Sequence, residues 1–71
     1  MKEFSIKLGQ NLKHARLVWG MSQTDVAKEL GVASTVICSW EHGRHYPSPM
    51  YLVKLADCYG CSVDMLLGRA K

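Results

Sequence analysis

Turn-forming residues punctuate this chain so often that it can fold only as a set of short elements. Gly20, Gly31, Gly43, Gly60 and Gly68, with Pro47-Ser48-Pro49 between the third and fourth, divide it into five pieces. Each piece repeats apolar residues at three- and four-residue steps, and none sustains the alternation of a strand. In the first, Leu8, Leu12, Ala15 and Trp19 form one stripe expected to be buried, and Gly20 supplies a left-handed end. Ser22 opens the second, with Asp25 three residues on, close to a capping box. Val26, Ala27 and Leu30 face inward before Gly31 stops it.

The third piece runs from about Ala33 to His42, with Val36, Ile37 and Trp40 on its apolar side and Gly43 at its end. After the loop Arg44-His45-Tyr46-Pro47, Ser48 stands as an N-cap before a proline in the first helical position. Leu52, Leu55, Ala56 and Tyr59 give the fourth piece its core face as far as Gly60. Ser62 caps a last short helix with Val63, Leu66 and Leu67, which Gly68 stops. The pattern predicts an all-α fold of five helices. It forms a single domain over 1–71, with its core at about 4–68.

A chain of 71 residues buries only about 60% of its unfolded surface, so one compact core is its limit. With 48% hydrophobic residues that core is well filled. The formal charge of +3 permits a polyanionic partner without demanding one. No apolar run reaches the ~18 residues of a membrane span, and Met1-Lys2-Glu3-Phe4 lacks the apolar core of a signal peptide. Three cysteines, an odd number, argue against a disulfide framework and for a reducing, cytoplasmic setting.

The most informative spacing lies between Gln23 and His42. Ala27 follows Gln23 by four residues and Gly31 follows Ala27 by four; Ile37 and Trp40 come after. Two crossing helices need a small side chain where they meet, which Ala27 supplies. The turn between them needs a positive φ, which Gly31 adopts freely. Ile37 and Trp40 anchor the second helix and leave its other face free to enter a groove.

In these residues the chain resembles the lambda-repressor-like and Cro-like helix-turn-helix proteins of the xenobiotic-response-element type. The resemblance runs from about Leu8 to Gly68. It includes Gly20-Met21-Ser22-Gln23, Ala27-Lys28-Glu29-Leu30-Gly31-Val32, Trp40-Glu41-His42-Gly43, Pro47-Ser48, Leu55-Ala56 and Leu66-Leu67-Gly68. It implies a helix-turn-helix at about 22–43, a recognition helix at about 33–42 in the major groove, and double-stranded DNA as partner. It also implies a phosphate contact for Gln23 at a helix N-terminus. Arg16 and Glu41 are implied as a bridge from the first helix to the end of the recognition helix, with spare Arg16 donors for the DNA backbone. His42, Arg44 and His45 fall where relatives touch phosphate, and Arg44 is the strongest of the three; solvated loop positions are the alternative for the histidines.

The recognition helix departs from many relatives. Its outward positions are Ala33, Ser34, Thr35, Cys38 and Ser39, none of which can make the bidentate base pairing of Arg, Gln or Asn. Base reading is expected to be modest, or to use water and DNA shape. Ala33 also stands where a serine cap is usual, so that helix start is weakly held. Short readers suggest a symmetric homodimer, for which Met65, Leu66 and Leu67 are favoured over Leu17; completion of the monomer core is the alternative for Leu66 and Leu67.

Cys58-Tyr59-Gly60-Cys61 has a zinc or redox spacing, but no second pair completes four ligands, and core packing is the expected role. No paired carboxylates, positioned nucleophile or phosphate loop supports catalysis. The sequence therefore reads as a DNA-binding transcriptional regulator, not an enzyme, without metal, cofactor or small-molecule substrate. A protein-interaction module on the same fold is the alternative.

Overall fold

The computed structural model describes residues 2–69, with side chains from Ile6 to Arg69. Five helices follow one another: α1 (Lys2–Val18), α2 (Gln23–Leu30), α3 (Ser34–Glu41), α4 (Pro49–Tyr59) and α5 (Val63–Leu67). No strand occurs among the described residues. Helix α1 packs on α3 and α5, α2 packs on α3 and α4, and α4 packs on α5.

The boundaries follow local chemistry. The Ser22 hydroxyl accepts from the Asp25 amide at 3.0 Å, and the Asp25 carboxylate accepts from the Ser22 amide at 2.9 Å, closing the capping box at α2. Gly31, at φ +72°, turns the chain out of α2. At α4 and α5 the Ser48 and Ser62 hydroxyls accept from the Tyr51 and Met65 amides without a reciprocal bond, and Pro49 stands in the first turn of α4. Helix α3 starts at Ala33 with no side-chain cap.

The core gathers Leu8 and Leu12 of α1, Val26, Ala27 and Leu30 of α2, and Ile37 and Trp40 of α3. Leu55, Ala56 and Tyr59 of α4 and Leu66 of α5 complete it. Burying one such leucine or isoleucine fully contributes about 1.5–3 kcal/mol. The sequence begins the core at about residue 4; the Phe4 side chain lies outside the described residues.

Two expectations are corrected. Trp19 does not belong to the buried stripe: α1 ends at Val18, and the residue beyond it is 59% exposed. Its indole N–H needs an acceptor, and it donates to the Tyr59 carbonyl at 2.6 Å, holding the ring over the end of α4. Leu66, assigned to a dimer contact, is instead fully buried and completes the monomer core.

Gly9 sits in mid-helix, where glycine costs about 0.5–1 kcal/mol relative to alanine. It is buried, and the structure supplies the reason. A Cβ there would overlap the carbonyl oxygen of Glu41 and lie 2.6 Å from that of Trp40. Helix α1 thus meets the backbone at the end of α3 directly.

Candidate nucleic-acid interface

The end of α3 is tied down by one buried carboxylate. Glu41 Oε2 accepts from Arg16 Nε at 2.7 Å, and Oε1 accepts from Arg16 Nη2 at 3.1 Å. Arg16 Nη1 donates to the Met21 carbonyl at 2.8 Å, in the turn between α1 and α2. Gln23 Nε2, at the start of α2, also donates to Glu41 Oε1, at 3.1 Å. A carboxylate only accepts, so the nitrogen end of that amide must face it. Hydrogen bonding to Glu41 raises the Arg16 pKa against the opposing effect of burial, so the guanidinium stays charged. Three helices therefore meet at Glu41.

The sequence assigned the Gln23 amide to a phosphate. In the structure one of its two N–H donors is committed to Glu41, which leaves the other available and fixes the amide's orientation. Nothing local signals this contact, because the partners stand 18 residues apart.

The outward positions of α3 form one surface. Ala33, Ser34 and Thr35 are exposed, and Cys38 and Ser39 are half-buried. Thr35 and Ser39 border a cleft of about 320 Å³ whose other walls are Val36, Trp40 and His45. His45 is therefore beside the α3 side chains, while His42 and Arg44 are exposed immediately after the helix. His42 Nδ1 lies 2.8 Å from the Cys38 carbonyl oxygen and 3.4 Å from Cys38 Sγ. A carbonyl cannot donate, so Nδ1 carries the proton in that bond and Nε2 is left for other partners.

Met65 and Leu17 are exposed, and Leu67 is half-buried against the core. Cys58 and Cys61 are half-buried, and burial pushes both thiols above their ordinary pKa. The Tyr59 hydroxyl is buried with no hydrogen-bond partner among the described residues; burial, then Glu41, push its pKa up. No helix of the described residues is long and apolar enough to cross a membrane.

Two short helices joined at a left-handed glycine, the second presenting a polar face and anchored by its far end, define a helix-turn-helix protein. A family profile described as Helix-turn-helix matches residues 12–66. The chain belongs to that family, in its lambda-repressor-like and Cro-like form. It is 33% identical over 64 residues to the HTH-type transcriptional regulator ImmR of Bacillus subtilis strain 168, covering 90% of this chain and 50% of that one. It is also 33% identical over 64 residues to the cryptic phage CTXphi transcriptional repressor RstR of Vibrio cholerae, covering 90% of this chain and 57% of that one. The chain thus spans about half the length of the curated relatives it matches. The crystal structure of the restriction-modification controller protein C.AhdI from Aeromonas hydrophila superposes with a TM-score of 0.80 at 28% identity. That match covers 86% of this chain and 92% of that one.

Proposed function

We propose that this chain binds double-stranded DNA as a transcriptional regulator, with α3 in the major groove. One observation carries the reading: Ser34 and Thr35, exposed, with Cys38 and Ser39, half-buried, form one surface of α3 beside exposed Arg44 and the held amide of Gln23. Relatives named as a transcriptional regulator, a repressor and a controller protein support it. Arg44, His42, His45, Gln23 and spare donors of Arg16 supply backbone contacts; Ala33, Ser34, Thr35, Cys38 and Ser39 meet the bases. Regulation by occupancy requires no catalysis, and the protein works in the cytoplasm.

A fluorescence-anisotropy salt series on genomic DNA fragments tests this. Affinity falls with a log–log slope of about −0.9 per phosphate neutralised, and Arg44→Ala weakens all sequences alike with a slope shallower by ~1. Affinity that does not respond to salt sinks the assignment.

Short readers on one helix contact few bases, so the chain acts as a symmetric homodimer on half-sites about 34–36 Å apart. Exposed Met65, with Leu67 beside it, is the favoured contact, and Leu17 the second. Sedimentation with and without a palindromic site checks this; one copy binding alone and without cooperativity removes the dimer and leaves DNA binding intact.

A further inference from the structure

A cavity of about 420 Å³ opens between the last turns of α1, the end of α4 and α5. None of its lining residues belongs to α2, α3 or the loop that follows, so it is separate from the face assigned to DNA, although one wall residue, Met65, is also the favoured contact of the proposed dimer. Its walls are mostly apolar, built by Ala15, Trp19, Tyr59 and Met65, with Asn11 and His14 as the polar side chains.

Trp19 gives the cavity its character. The ring is 59% exposed, yet its one donor is spent on the Tyr59 carbonyl at 2.6 Å. It also packs closely on Gly60, where an added Cβ would lie 3.3 Å from Cζ2. An exposed aromatic ring held along its nitrogen-bearing edge is a preformed platform for another flat apolar group. Asn11 is fixed as well, since its Nδ2 donates to the Leu66 carbonyl at 2.9 Å. No carboxylate lines the cavity, while His14 offers a donor, so its polar part receives a neutral or anionic group.

Size narrows the occupant. The volume falls in the range of small-molecule sites, about 300–1,000 Å³. We propose that this cavity binds a small aromatic carboxylate, its ring against Trp19 and its carboxylate toward His14. The inference does not rest on the DNA-binding reading.

Titration of the 15N-labelled chain with 1-naphthoate, followed by two-dimensional NMR, tests it. Binding saturates with a Kd of roughly 0.1–1 mM. The Trp19 indole signal and the amides of His14, Gly60, Cys61 and Met65 move, while the indole of buried Trp40 does not. His14→Ala, a change at an exposed position, weakens 1-naphthoate by about fivefold or more and leaves neutral 1-naphthalenemethanol unchanged. Ala15→Phe fills the cavity and abolishes both; if that variant fails to fold, Trp19→Ala takes its place with the same expectation. Shifts that never saturate or that scatter over the surface overturn the proposal. So does a His14→Ala variant that treats the two compounds as the wild type does. A second copy that covers the cavity, seen as sedimenting dimers that exclude 1-naphthoate, overturns it too.

Discussion

Helices α2 and α3 are both eight residues long and both end in backbone cap hydrogen bonds, but α2 starts with a side-chain cap at Ser22, whereas α3 starts at Ala33 without one and is held in addition at its far end through Glu41. The first helix is stabilised by its own sequence; the second depends on α1 and α2 for its position. The difference suits their proposed roles. A support can be locally complete, while a reading element needs its exposed side chains free and takes its rigidity from bonds behind it. Arg16, Gln23 and the close approach at Gly9 provide that rigidity from the protein side.

The largest expected effect comes from breaking the support of α3. Glu41→Ala strands Arg16 in a buried site and costs ~3–5 kcal/mol in urea unfolding, most of what a small domain has. Adding Arg16→Met recovers part of this loss; simple additivity would show that the two residues are uncoupled. Gly9→Ala forces the α1 backbone off α3 and costs ~1–3 kcal/mol, read as a lower thermal midpoint. If Gly9→Ala left stability unchanged, direct backbone contact would not set the spacing of the two helices.

Exchanging the caps sharpens the contrast. Ser22→Ala removes the α2 cap and lowers stability by ~1 kcal/mol, while Ala33→Ser gives α3 the missing cap and raises stability by a similar or smaller amount. An Ala33→Ser change that fails to raise stability would erase the distinction between the two helices. The smallest effect is acid-dependent and confined to α2. Hydrogen bonds from the Ser22 backbone and side chain hold Asp25 below the ordinary carboxylate pKa of 3.8. Its folded value is lower than its unfolded one, so its contribution is complete above 3.8 and fades as pH falls through the folded value. Asp25→Asn should flatten that part of the stability profile below about pH 4, measured by denaturation at successive pH values.

Helix ends were legible because their causes are local. Ser22, Ser48 and Ser62 cap helices, and glycines close them, with partners within a few residues. The family resemblance, carried by Gln23, Ala27, Gly31 and Trp40, pointed to the helix-turn-helix arrangement. What the sequence hid was non-local or depended on a boundary. Trp19 fits the α1 period, but the helix stops one residue short and its indole turns to Tyr59, 40 residues away. Gln23 reads as a phosphate donor, and nothing near it in the chain signals that Glu41 holds one of its two N–H groups. Leu66 and Met65 are adjacent apolar residues on one short helix, and only packing decides that the first is core and the second exposed. Gly9 alone left an unread signal, a glycine inside a helix with no turn to make.

The Arg16–Glu41 bridge also has a meaning in time. It joins positions 25 residues apart, while α2 and α3 meet across a turn of a few residues. Loop closure makes the nearer pairing cheaper in entropy, so α2 and α3 are expected to associate before α1 docks. A bridge formed after the transition state slows escape from the native state and leaves the rate of reaching it nearly unchanged. For this fold, Arg16 and Glu41 would then act as a latch on unfolding, setting how long α3 keeps its place once folded.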